Sequence, residues 1–226
     1  MARRSGKERA GEGGAAGGAA VEPNARERLL DTAERLFAEQ GFNGVATRQI
    51  SQEAKVNQGA IPYYFGTKIN LLREVLVRRI GPVQEERHRR MDELLRANPR
   101  PSPRDVLLAL LEPAFRQSHR NVHYRRLAGR MATDASAQVR GLLHELYSSD
   151  SVRIHKVLRA ACPGLDTTDF YWRLYCVYGV MLYVQADTGK IQTLAGKDFD
   201  TSRPEVALRY VLNFVTAGME APPPGG

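Results

Sequence analysis

Two cysteines, Cys162 and Cys176, are all that 226 residues contain. So few exclude a disulfide framework, and their spacing excludes a CxxC metal site; free thiols packed in a reducing compartment are expected. Long apolar runs are missing too. The most apolar stretch, around residues 175–184, is far short of the ~20 residues that a bilayer span needs. The arginine-bearing start lacks the apolar segment of a secretory signal, so a cytoplasmic protein with no membrane association is expected. No β-hairpin signal and no repeat of 20–50 residues occurs. GxSxG, HExxH, a P-loop and a paired acid/base signature are all absent, so neither an enzyme nor a cofactor is expected.

Charge is unevenly spread. The net +8 divides into +4 over residues 1–80, +5 over 81–130 and −1 over the remainder. A polyanion partner at the N-terminal end would explain this, and so would solubility alone.

What is present is helical periodicity. Residues 1–24, rich in Gly, Ala and charge, read as a disordered tail. From Ala25 onward Leu29, Leu30, Ala33, Leu36 and Phe37 recur at three- and four-residue spacing until Gly41. A second, short helix fits 47–54, and a third starts at Gln58 with Asn57 as its N-cap. Thr67 can cap a fourth helix that continues, kinked, past Pro82. After the break "NPRPSP", helical patterns cover 104–120, 122–131, 136–160, 167–186 and 204–218, separated by "CPGLDTT", "DTGKIQTLAGKD" and "TSRP". The fold class is all-α: three small helices followed by about six longer ones.

Two short helices joined by a three-residue turn have the dimensions of a helix-turn-helix. Ile50, Ala54, Val56 and Ile61 can close a small core against Leu29, Ala33 and Phe37. Gln58, Gly59 and Ala60 then offer one hydrogen-bonding side chain and two small positions for close approach. Gln pairs with an adenine edge, and Ala meets a thymine methyl. Tyr63, Tyr64 and Lys68 suit phosphate contacts, as does Thr47, while Arg48 can reach a guanine. Gly59 reads either as room for a DNA backbone or as a helix-start residue. Arg3, Arg4 and Arg9 read either as a minor-groove arm or as a solvated tail.

The stretch "ARERLLDTAERLFAEQGFNGVATRQISQEAKVNQGAIPYYFGTKINLLREVL" resembles the DNA-binding domain of the TetR family of bacterial transcriptional regulators. The resemblance runs over about residues 25–78, through "A..LF...G", "T...I...A.V" and "G.....F..K..L". It implies phosphate contacts from Thr47, Tyr64 and Lys68, and base or groove contacts from Arg48, Gln58, Ala60 and Tyr63. Two departures stand out. Pro62 occupies a position where the family usually has a DNA-touching Tyr, and Lys55 one where it often has Gly. The implied organisation is a DNA-binding domain over 25–70, an effector-binding and dimerisation domain over 71–219, and a disordered tail over 220–226. The implied partners are a double-stranded operator, a small-molecule effector and a second copy of the chain. The implied activity is that of an effector-released repressor of a palindromic site.

The C-terminal half supplies material for those roles. Phe170, Leu174, Val177 and Met181, with Tyr210 and Phe214 near the C-terminus, are expected at the dimer interface. Arg116, His119, Arg120 and His123 fall at helical spacing. They read either as a solvated polar face or as a seat for an anionic effector, and no third ligand accompanies the two histidines for a metal. The competing functional class is a sequence-indifferent DNA-coating protein, which would bind with salt sensitivity and little preference.

Overall fold

The computed structural model describes residues 24–186, 189–196, 199 and 203–222; the N-terminal tail with Arg3, Arg4 and Arg9 lies outside them. Among the described residues the chain forms helices and no strand. In order these are α1 (Ala25–Gly44), α2 (Thr47–Glu53), α3 (Ala60–Phe65), α4 (Lys68–Ala97), α5 (Pro103–Arg120), α6 (Val122–Ala132), α7 (Ala137–Ala161), α8 (Thr167–Ala186), α9 (Lys190–Ala195) and α10 (Pro204–Glu220).

Short polar side chains cap the starts of α4, α5, α6 and α7. Thr67 Oγ1 accepts from the Asn70 amide at 3.3 Å, and Ser136 Oγ from that of Val139. Ser102 and Asp105 form a reciprocal capping box, with Pro103 as the first residue of α5. Such caps satisfy amides that have no partner inside the helix. Gly41 (φ 77°) breaks α1 before its last turn, where a side chain would be strained. α4 runs through Pro82 without ending.

Two apolar cores result. The first gathers Leu29, Ala33, Leu36 and Phe37 of α1, Ile50 of α2, Ile61 and Phe65 of α3 and Leu71, Leu72 and Val75 of α4. Tyr124, Leu127 and Met131 of α6 and Val139 and Leu142 of α7 belong to the same core. The second packs α4, α5, α7, α8 and α10 around residues such as Met91, Leu107, Leu158 and Phe170.

A carboxylate pins the seam between the first three helices and the rest. Glu34 of α1 is 2% exposed. It accepts from Arg78 at 2.7 Å, from Arg79 Nε at 3.0 Å and from Asn121 Nδ2 at 2.9 Å. Asn121 also caps α6, its Oδ1 accepting from the Tyr124 amide at 2.9 Å. Burying a carboxylate is costly unless it is paired and hydrogen-bonded, and here three donors converge on it.

The structure revises several expectations. α3 begins at Ala60 instead of Gln58, because Asn57 turns the chain first. A short helix, α9, forms inside "DTGKIQTLAGKD", which reads in sequence as punctuation. α10 extends to Glu220, and Arg173 donates to the carbonyls of Gly218, Ala221 and Pro222, so the chain is tied down beyond residue 219. Those bonds place a cation at the carbonyl end of α10, where the helix dipole favours it.

Glu34→Ala should be strongly destabilising, since it leaves Arg78 and Arg79 facing each other without their shared acceptor. We expect a loss of at least about 2 kcal/mol in a urea titration followed by circular dichroism, discounted for the partial exposure of both arginines.

Candidate nucleic-acid interface and ligand cavity

The turn between α2 and α3 is built by backbone bonds. The Lys55 amide donates to the Gln52 carbonyl at 3.1 Å, and the Val56 amide to that of Ser51 at 3.0 Å. This is the paired closure of a helix that ends on a left-handed residue. That residue is Lys55, with φ 54° the only non-glycine positive φ among the described residues. Arg28 of α1 donates to the Ala54 carbonyl at 3.2 Å, and Arg35 pairs with Glu53. The end of α2 is thereby fastened to α1.

Asn57 then accepts from the Gly59 amide at 2.8 Å, while its carbonyl accepts from Ala60 at 2.9 Å. Pro62 is the third residue of α3. Its missing N–H falls in the first turn, where no intrahelical partner exists, so the helix tolerates it. Gly66 (φ 72°) ends α3 one residue before the Thr67 cap of α4.

The sequence-predicted DNA residues divide into two groups. Thr47, Arg48, Gln58 and Gly59 are exposed, and Tyr63 is 70% exposed. Ala60, Tyr64 and Lys68 are half-buried. Tyr64 packs against the first core, and its ring meets that of Tyr63 edge-on at 5.0 Å. Lys68 lies over the Phe42 ring with Nζ 4.4 Å from its centre, and burial lowers its pKa. The surrounding cations are committed. Arg26 pairs with Glu74 at 2.7 Å, and Arg28 and Arg35 hold α2. The side chains of Arg48 and Lys55, both exposed, have no partner among the described residues.

A cavity of about 270 Å³ lies between α4, α5, α6, α7 and α8. Its walls are apolar, with Leu76, Ile80, Val83, Met131, Leu143 and Met181 among them. Five polar side chains also reach it: Arg87, Tyr124, Tyr147, Tyr178 and Gln185. Arg87 and Gln185 are buried. Burial raises the pKa of each of the three phenols, so they are protonated at neutral pH. The Tyr178 hydroxyl bonds His155 Nε2 at 2.8 Å, and desolvation lowers the pKa of that imidazole. A wider groove of about 930 Å³ outside shares Ala132, Tyr178 and Leu182 with the cavity.

The effector residues read from sequence do not line this cavity. Arg116 is exposed and pairs with Glu112 at 2.6 Å. His123 is half-buried at the start of α6, away from the lining. His119 and Arg120 end α5, and their side chains lie outside the described residues. Arg87 and Gln185 were missed. Each had a signal: a polar residue continuing an apolar stripe, Ile80, Val83, Arg87, Met91 in α4 and Val177, Met181, Gln185 in α8.

The expected interface also changes. Phe170, Leu174, Val177 and Met181 are buried in the chain's own second core, so they present nothing to a partner. The outward side of α8 instead carries Tyr171, Trp172, Tyr175 and Tyr183. On α10 Tyr210 and Phe214 are 66% and 68% exposed.

Comparison with known proteins assigns both halves. Residues 29–75 match the model described as bacterial regulatory proteins, tetR family, and residues 107–218 match tetracyclin repressor-like, C-terminal domain. The HTH-type transcriptional repressor AcnR of Corynebacterium glutamicum is 26% identical over 146 residues, covering 65% of this chain and 71% of AcnR. The HTH-type transcriptional regulator AcrR of Shigella flexneri is 29% identical, covering 59% of this chain and 62% of AcrR. SrpR of Pseudomonas putida is 33% identical over 66 residues, so the match spans only 31% of its length. In fold the chain is similar to FadR of Bacillus subtilis, solved in complex with stearoyl-CoA. That match has a TM-score of 0.63 at 15% identity and covers 85% of this chain and 98% of FadR. No helix among the described residues is long and apolar enough to cross a membrane.

Lys55→Gly should relieve the left-handed strain at the turn. We expect a gain of about 0.5–1 kcal/mol in chemical denaturation, the relief exceeding the added freedom of the unfolded chain. A loss of stability would show that the lysine side chain contributes more than its backbone conformation costs.

Proposed function

The chain belongs to the TetR family of transcriptional regulators, and from that premise we propose that it acts as a homodimeric repressor. It binds a palindromic operator through α2 and α3 and is released by a small molecule in the cavity. The observation that carries this reading is the uncommitted outer face of the helix-turn-helix. Arg48, Gln58 and Tyr63 stand exposed while the neighbouring arginines are consumed by ion pairs and helix ends. Arg48 and Gln58 have the chemistry to read base edges; Thr47, Tyr63, Tyr64 and Lys68 would position the head on phosphates, with Gly59 and Ala60 leaving room for close approach. The reading head is the unit 25–70, and 71–219 carries the cavity and the dimer face, although the first core continues across that boundary.

Dimerisation rests on the outward aromatics of α8 and α10. Tyr171, Tyr175 and Tyr183 line one side of α8, and Tyr210 and Phe214 one side of α10. Together they make an apolar surface of the kind monomers rarely leave bare. Two such helices from each copy give a self-complementary interface and place two reading heads on one duplex. A ligand that favours one arrangement of α4 and α6 over another shifts operator affinity by its differential binding energy.

Fluorescence anisotropy with DNA from upstream of the protein's own gene, against scrambled DNA across a salt series, tests the reading. A preference of about 10³-fold or more is expected at physiological salt. Arg48→Ala and Gln58→Ala should each lose about 1–3 kcal/mol of operator discrimination and leave scrambled-DNA binding almost unchanged. Equal binding to operator-bearing and scrambled DNA, with a steep salt slope, would favour the coating protein instead.

Tyr210→Glu combined with Phe214→Glu should convert the dimer to a monomer in light scattering after size exclusion, with helix content retained. A dimer that survives both charges would refute the α8/α10 interface.

A further inference from the structure

The cavity closes around a charge that it does not balance. Arg87 is 9% exposed. Its Nε donates to the Leu110 carbonyl at 2.8 Å, and no carboxylate among the described residues pairs with it. Among the described residues the lining holds no Asp or Glu. The acids nearby are spent elsewhere: Glu34 on Arg78, Arg79 and Asn121, and Glu112 on Arg90 and Arg116. A second buried donor is also unmet. Gln185 is 6% exposed, and its Nε2 has no partner among the described residues. Every other surface of the site is hydrocarbon or phenol.

A buried guanidinium without a counter-charge is expensive, and so is a buried amide without an acceptor. Both costs fall away if an anion enters with an apolar body behind it. Because Nε is already taken, only the outer edge of the guanidinium remains, which suits one carboxylate. A dianionic head would bring a second charge with no cation to meet it.

We propose that this cavity binds a monoanionic amphiphile, its carboxylate held by Arg87 and its apolar body lying against Ile80, Val83, Met131 and Met181. The assignment deepens the effector reading above and rests on it for its regulatory meaning, but the binding itself does not depend on DNA. Neutral or cationic amphiphiles of the same length would leave Arg87 unpaired or repelled, so the head group decides specificity.

Isothermal titration of the full chain, without DNA, with decanoate, decanol and decyltrimethylammonium tests this. Decanoate should bind once per chain and at least about tenfold more tightly than decanol, with the ammonium weakest. Arg87→Met, which keeps an apolar stem, should abolish the preference for decanoate over decanol, and Arg87→Lys should retain part of it. Decanol binding as tightly as decanoate would overturn the proposal. So would a decanoate preference unchanged in Arg87→Met, or no decanoate binding up to about 1 mM. Should Arg87→Met fail to fold, the head-group series on the unsubstituted chain decides alone. Operator anisotropy separates the two readings: a carboxylate preference without operator preference sinks the regulator, and the reverse sinks only the ligand class.

Discussion

One buried carboxylate holds the reading head to the rest of the molecule. Glu34 lies in α1, yet its acceptor oxygens are filled from α4, by Arg78 and Arg79, and from the start of α6, by Asn121. None of these elements can shift alone without stripping a partner from a carboxylate that water cannot reach. Asn121 is bound twice, to Glu34 and to the amide it caps, so the position of α6 and the start of its helix are fixed by the same side chain. α1 in turn grips α2 through Arg28 and Arg35. The outer helices are therefore placed by a chain of polar contacts laid over an apolar core.

That dependence explains how the arginines are distributed. A chain with 33 basic residues could present cations everywhere, but most of those near the head are tied into pairs or helix ends. Exposed pairs of this kind add little stability. Their effect is to remove charge from the general surface, so that Arg48 and Lys55 stay exposed and unpaired among the described residues, as Gln58 and Tyr63 are exposed. Committed and uncommitted cations separate a sequence reader from a sticky surface better than net charge does.

Much of the fold was legible because helices announce themselves through spacing and caps. Leu29, Ala33 and Phe37 recur on one face, and Thr67 sits where a cap belongs. The strain at Lys55 was readable through the family resemblance, which often has glycine at this position. What spacing could not show was which side of a helix faces inward when nearly all sides are apolar. α8 is such a helix. Its Phe170, Leu174, Val177 and Met181 turned inward, leaving the tyrosines outside. Tyrosine tolerates that exposure because its hydroxyl stays wet while its ring waits for cover. The cavity was illegible for a different reason. Its walls come from five helices, whereas Arg116, read from spacing within one helix, is exposed and lies outside the lining.

The cavity and the pinned seam meet in α6. Tyr124 lines the cavity and is the residue whose amide Asn121 caps, and Asn121 also reaches Glu34. On the other wall Ile80 follows directly after Arg78 and Arg79, which hold the same carboxylate. Anything that spreads α4 from α6 to fill the cavity must therefore act on donors that share one acceptor. Close-packed interiors respond to such a demand by switching between discrete arrangements, since a carboxylate with a donor withdrawn is too costly to hold halfway. Because only Gly66 and Thr67 separate the end of α3 from the start of α4, a tilt of α4 would move α3 with it. The cavity and the buried carboxylate thus share two helices: Ile80 and Tyr124 line the one, while Arg79 of α4 and Asn121, the cap of α6, bind the other.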